Sequence, residues 1–254
     1  MKTYFTLLFI AISLHCAAET PLEQAKAAFQ QGDTNQAIKL WKQEADKGNA
    51  KAQYNLALVY LNETDGQQNR TVARSLLEQA AAKNLPEAQY ELGQMLLYGE
   101  KGITTYSAPS IQAQNTPTSQ EREQGIVYIT RAAEQGLPLA IENIATIYDL
   151  GIGVAEDNSR AVMWYKKAAE QGNADAQYNL ALHYLKGEGT EKNCEQAIHW
   201  LTQAAEQKDW AASEELAKVY VKGECVTKDA VKAEARQKKA ATYPQPKPRH
   251  NRTI

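Results

Sequence analysis

The side chains with the strongest chemistry are few and far apart. His183, His199 and His250 lie outside the apolar N-terminal stretch that holds His15, and no spacing pairs any of them with a nucleophile. No Ser-x-x-Lys pattern occurs. Gly151-Ile152-Gly153 and Gly187-Glu188-Gly189 lack the preceding strand and following Lys-Ser/Thr of a phosphate loop, so they read as turns. Cys194 and Cys225 have no CxxC partner and no His at ligand spacing, which argues against zinc. We therefore expect no catalytic constellation, no metal and no cofactor. Binding chemistry is better represented. Tyr54, Tyr90 and Tyr178 each close an Ala-Gln-Tyr triplet, and aromatic anchors of this kind are typical interface hot spots. Beside them in phase stand Asn55, Asn143 and Asn179, with Lys51 one turn before Asn55. An equally good reading packs the tyrosines between adjacent helices.

The elements that carry these residues follow from their spacing. Ala52, Ala88, Ala140, Ala176 and Ala212 share one period of 36 residues, with a single insertion of 16 residues between Ala88 and Ala140. A fixed period of this size predicts stacked two-helix units instead of one compact core. Four places after each marker Ala comes Leu56, Leu92, Ile144, Leu180 or Leu216, and eight places after it Tyr60, Leu96, Tyr148, Tyr184 or Tyr220. That spacing forms one apolar helical stripe. Gly99, Gly151, Gly187 and Gly223 mark where the first helix stops. A second helix follows Asp33, Asn69, Glu121, Asp157, Asn193 and Asp229, all but the glutamate good N-caps. The cap before each first helix reads Asn49, Leu85, Leu137, Asn173, Asp209, and the two leucines are followed by Pro86 and Pro138.

The clearest copy runs from Ala140 through Gly151-Ile152-Gly153-Val154 and Trp164-Tyr165 to Gly172. It resembles the Sel-one-like repeat, a relative of the tetratricopeptide repeat, and the likeness covers about Leu22 to Ala241. The segment Gly32 to Ile38 is more similar to a tetratricopeptide second helix. The resemblance implies an all-α, right-handed α-solenoid of antiparallel helix pairs that binds protein; it implies no reaction. It places the first helix of each pair on the concave face. A tetratricopeptide clamp for a peptide C-terminus would use Lys and Asn at the places of Lys51, Asn55, Asn143 and Asn179, but Glu91 and Glu215 break that set. Relatives serve as envelope adaptors, as immunity proteins against secreted toxins, or in some cysteine-rich cases as β-lactam binders or hydrolases. A periplasmic adaptor is the leading expectation, an immunity protein the first alternative, and an enzyme acting on β-lactam or peptidoglycan-like substrates the second.

Charge is nearly balanced, 28 basic against 30 acidic side chains, and no basic stripe interleaves with aromatics, so nucleic acid is not an expected partner. Lys2, the apolar run Tyr4 to Leu14 and the small residues Cys16-Ala17-Ala18 have the layout of a secretory signal, too short to span a bilayer, cleaved after Ala18. A lipoprotein acylated at Cys16 is the lesser alternative. The expected location is the periplasm or outside the cell. Residues 19–48 form a tetratricopeptide-like unit, 49–241 the main array with an exposed loop near 101–120, and 242–254 a disordered basic tail. In an oxidising compartment Cys194 and Cys225 are expected to pair. Both phases fall on the same edge of the array, one repeat apart.

Overall fold

The computed structural model describes residues 20–62, 66–99 and 117–243. The proposed leader, most of the loop near 101–120 and nearly all of the tail lie outside them. Among these residues twelve helices follow one another: α1 (Pro21–Gln30), α2 (Thr34–Asp46), α3 (Ala50–Asn62), α4 (Gly66–Ala82), α5 (Pro86–Tyr98), α6 (Ser119–Glu134), α7 (Pro138–Leu150), α8 (Asn158–Glu170), α9 (Ala174–Lys186), α10 (Cys194–Glu206), α11 (Trp210–Lys222) and α12 (Ala230–Ala240). Among the described residues there is no strand. Each helix packs on the one before and the one after it, so the chain is an all-α solenoid with a 36-residue repeat.

The repeat phases become burial. All five marker alanines have 0 % exposure, and Leu56, Leu92, Ile144, Leu180 and Leu216 at most 3 %. Ala at the matching place of the second helix lets the two backbones of a unit approach. The caps work largely as the phases require: Asp33, Asp157, Asn193 and Asp229 accept from backbone N–H groups three residues on. Leu85 and Leu137 cap nothing with their side chains and are followed by Pro at N1. Asn84 and Lys208 stand where other units have glycine after the second helix, and both still take φ of 64° and 67°. The turn geometry is imposed by the stack, since only Asn of these two tolerates that region readily.

Two caps and one boundary need correction. Asn69 lies within α4, which begins at Gly66. Glu121 is the third residue of α6; Thr118 is the cap, and the two side chains form a reciprocal capping box. Ser119 and Gln120, assigned to the loop from sequence, therefore open α6.

The middle residue of Ala-Gln-Tyr has a role that spacing did not reveal. Gln53, Gln89 and Gln177 are buried, and each side-chain amide donates to a carbonyl eight residues back, at Ala45, Ala81 and Ala169. Those carbonyls belong to the last turn of the preceding second helix; each accepts the backbone N–H of the turn residue three places on, Gly48, Asn84 or Gly172, and the glutamine amide is a second donor. The third copy has Ile141 instead, and Lys167 Nζ, from α8 of the same helix pair, donates to Ala133 O at 3.0 Å. The fifth has Ser213, and Tyr243 OH donates to Ala205 O at 3.1 Å. Thus each helix end is closed by whichever donor the local sequence offers. The acceptor ends of the glutamines tie the two helices of their own unit: Gln135, at the end of α6, donates to Gln89 of α5 at 2.7 Å, and Gln207, at the end of α10, to Gln177 of α9 at 2.9 Å.

Candidate partner-binding surface

The first helices α3, α5, α7, α9 and α11 lie side by side and are joined along one face by polar contacts. Gln94 Nε2 donates to Asn143 Oδ1 at 2.9 Å, and Asn173 Nδ2 to Glu142 Oε2 at 2.9 Å. The candidate residues divide by depth. Lys51 is exposed, and Tyr54, Asn55, Tyr90 and Asn179 are half-buried. Tyr178 is only 7 % exposed and packs in a cluster with Leu201 and Leu216; Asn143 is 3 % exposed. In the free protein these last two are interior residues, which corrects their assignment to an open surface. The tyrosine place is close enough to the packing stripe that the next unit decides its burial. Tyr54 leans on the cluster holding Leu92, and Tyr90 on that holding Ile141 and Ile144.

The same phase carries partly buried carboxylates. Burial pushes the Tyr54 hydroxyl up to about 12, with Glu91 and Glu87 of α5 adding to the shift. Burial alone raises the Glu91 carboxyl. Glu142 is raised first by burial, opposed by its bond from Asn173 and assisted by Asp175. A raised carboxyl binds its proton more tightly folded than unfolded, so its ionisation destabilises the fold above that pKa. Glu91→Gln should therefore raise the melting temperature at pH 7, and the gain should shrink as pH falls toward the ordinary 4.5. Melting curves of the two proteins from pH 4 to 8 check this; a gain independent of pH would contradict it.

The histidines and cysteines are placed as follows. His183, 5 % exposed, has Nε2 3.2 Å from Asp149 Oδ1 and Nδ1 3.0 Å from the Glu188 carbonyl. Tyr165 OH donates to the other Asp149 oxygen at 3.3 Å, and burial, then Asp149, pushes that phenol far up. Asp149, Tyr165 and His183 thus tie α7, α8 and α9 together, a link with no periodic signal. His199 meets the Trp200 ring edge-on at 4.8 Å. Cys194, first residue of α10, and Cys225, between α11 and α12, are brought to bonding distance with Cα atoms 5.2 Å apart. Among the described residues no group of three or more His, Cys, Asp or Glu could hold a metal ion, and no helix is long and apolar enough to cross a membrane.

Comparison with known proteins bears on the same units. A protective antigen of uropathogenic Escherichia coli strains, displaying an SLR fold, superposes with a TM-score of 0.73 at 22% identity, over 87% of this chain. The chain spans 45% of that antigen's length. A Sel1 repeat protein from Oxalobacter formigenes superposes at 0.60 with 26% identity, over 90% of this chain and 88% of that one. No curated protein matches the sequence. The family model described as Sel1 repeat matches residues 28–49, 50–85, 86–105, 116–137, 138–173, 174–209 and 210–235, and these units fall on the helix pairs described above; the chain belongs to the Sel1 repeat family.

Proposed function

We propose that the protein is an exported scaffold of the bacterial envelope that binds a protein partner along the concave face of its first helices. The Sel1 repeat is a module for protein–protein contact, and this reading adds the face and the compartment. The observation that carries it is the row of half-buried side chains on adjacent first helices, Tyr54 and Tyr90 with Asn55 and Asn179, next to exposed Lys51. Rings held partly by a neighbouring unit lose little freedom on binding, so they make good anchors. The leader-like N-terminus and the Cys194–Cys225 pair support export.

Capture of the partner from envelope extract, followed by calorimetry with the purified pair, tests the reading. Tyr54→Ser and Tyr90→Ser should each weaken binding by about 1–3 kcal/mol. Tyr178→Ser, being interior, should lower the melting temperature first. If all three variants lose stability while folded molecules keep full affinity, the tyrosines are packing residues and the concave face is not the binding surface.

A further inference from the structure

The second helix of each unit keeps one pattern until the last. Where α8 and α10 carry Trp164 and Trp200, α12 carries Arg236, and in place of Tyr165 and Leu201 it carries Gln237. Ala233 and Ala240 are buried, which turns that side of α12 toward α11. At about 100° per residue the opposite side presents Val231, Ala235, Lys238 and Lys239, with Lys232 on its flank. Val231 is 79 % exposed. Arg236 and Gln237 stand where a further unit would need apolar side chains, so α12 is built to end the stack and to meet something polar.

Its charge has one sign. Residues 228–254 hold eight Lys and Arg against Asp229 and Glu234, whereas the remainder of the chain holds 20 against 28. Asp229 caps α12 and lies 3.4 Å from Lys232, and Glu234 lies 2.6 Å from Lys238. Ion pairs on an open surface are weak and exchange partners readily. The side chains of Arg236 and Lys239 make no ion pair among the described residues. Beyond Tyr243 the sequence adds Lys247, Arg249 and Arg252 and no carboxylate.

We propose that the outward side of α12 docks on an anionic bilayer surface, its lysines against lipid phosphates and Val231 at the interface. A helix with a small apolar centre and lysines around it suits such an interface, whereas a nucleic acid or an acidic protein surface leaves Val231 in water. Apolar burial is slight, so the attraction is electrostatic, and clusters of this many cations suffice for it. The excess of acid in the rest of the array is repelled by the same surface, within a Debye length of about 10 Å. The array therefore attaches by its last helix and keeps the first-helix face clear of the lipid. This goes beyond the concave-face reading and uses none of its residues.

Co-sedimentation of the full chain with vesicles tests it, at low and at high salt. One set is phosphatidylcholine alone and the other equal parts phosphatidylcholine and phosphatidylglycerol. Binding should be at least tenfold stronger to the anionic set and be lost at high salt. Each cation at an anionic surface contributes about fivefold, so Lys238→Gln with Lys239→Gln should weaken binding at least tenfold with an unchanged melting temperature. Lys39→Gln with Lys42→Gln, which removes the same charge from exposed places on α2, should leave it as it was. Equal binding to the neutral vesicles, no binding to either set, or equal losses in the two double variants overturns the proposal. Self-association at low salt that needs Lys238 and Lys239, with no vesicle binding, makes the occupant a second copy of the chain and overturns the lipid surface. Failure in any of these ways leaves the concave-face reading standing, because a protein partner captured there is measured without lipid.

Discussion

Breaking the Cys194–Cys225 bond should cost the protein about 3–4 kcal/mol of resistance to urea, felt first at the C-terminal end. The two residues are 31 apart in sequence, and closing a loop of that length restricts the unfolded chain by this amount in the loop-entropy picture. The location matters as much as the size. In a solenoid each unit is stabilised chiefly by its neighbours, so the last unit has one interface where inner units have two. Here α12 packs on α11 and on no later helix among the described residues. Lys208 holds a positive φ of 67° in the turn between α10 and α11, a conformation that glycine adopts at lower cost. The bond joins the start of α10 to the turn between α11 and α12, so it clamps the unit that has least support. Tyr243, donating to Ala205 O, closes the other edge. Urea titrations of oxidised protein, reduced protein and Cys194→Ser should show the loss, and hydrogen exchange should show protection falling in α10 to α12 before α3 to α9. Mass spectrometry of protein purified without reductant decides the premise. Two free thiols there, or equal urea midpoints, would remove it.

The fold was legible because a solenoid writes its geometry into one period. Ala52, Leu56 and Tyr60 recur at the same phase because every unit must present the same stripe to the same kind of neighbour, and the structure buries Ala52 and Leu56 accordingly. What spacing cannot show is which atoms meet between units. Gln53, Gln89 and Gln177 repeat as plainly as the tyrosines beside them. Their role stayed hidden because the acceptor is a carbonyl of the preceding helix, and in the third copy, where Ile141 stands in place of Gln, Lys167 supplies the donor from a different phase. The link from His183 to Asp149 is invisible for the opposite reason: it occurs once, so no period announces it. The candidate site was half legible. Helical phase put Tyr54, Tyr90 and Tyr178 at the same edge of the packing stripe, but the neighbouring unit buries Tyr178 and leaves the other two half open. Thr118 escaped notice because its capping box lies one turn ahead of the phase set by Asp157 and Asn193.

One departure from the period makes the last prediction. Four units pair alanine with alanine across their two helices: Ala57 with Ala73, Ala145 with Ala161, Ala181 with Ala197, and Ala217 with Ala233 at matching phases, all buried. The unit of α5 and α6 has Gly93 and Gly125 at those places. Repeat logic alone would recommend alanine at both, and alanine is the better helix former by up to about 1 kcal/mol. The structure argues the reverse. A Cβ on Gly93 would lie 2.6 Å from Ile129 Cγ1 and 2.8 Å from the Gly125 carbonyl oxygen. One on Gly125 would lie 2.7 Å from the Gly93 carbonyl oxygen and 2.9 Å from the Leu97 nitrogen. A side chain such as Ile129 can turn aside, but backbone oxygens move only if the two helices separate, and that loosens Leu92, Leu96, Ile126 and Ile129 together. Overpacking of this kind costs on the order of 1–3 kcal/mol, which exceeds the propensity gain. Gly93→Ala and Gly125→Ala should thus each lower the melting temperature, Gly125→Ala the more because its nearest obstacles are backbone. The two changes touch the same crossing, so the double variant should cost less than the sum: once the helices part for one methyl, the second enters space already opened. Thermal melts of the two single variants and the double variant measure all three quantities. A Gly93→Ala protein that melts higher than the parent would mean that α5 and α6 accept the spacing of the other units, and that the glycine pair does not set how closely they pack.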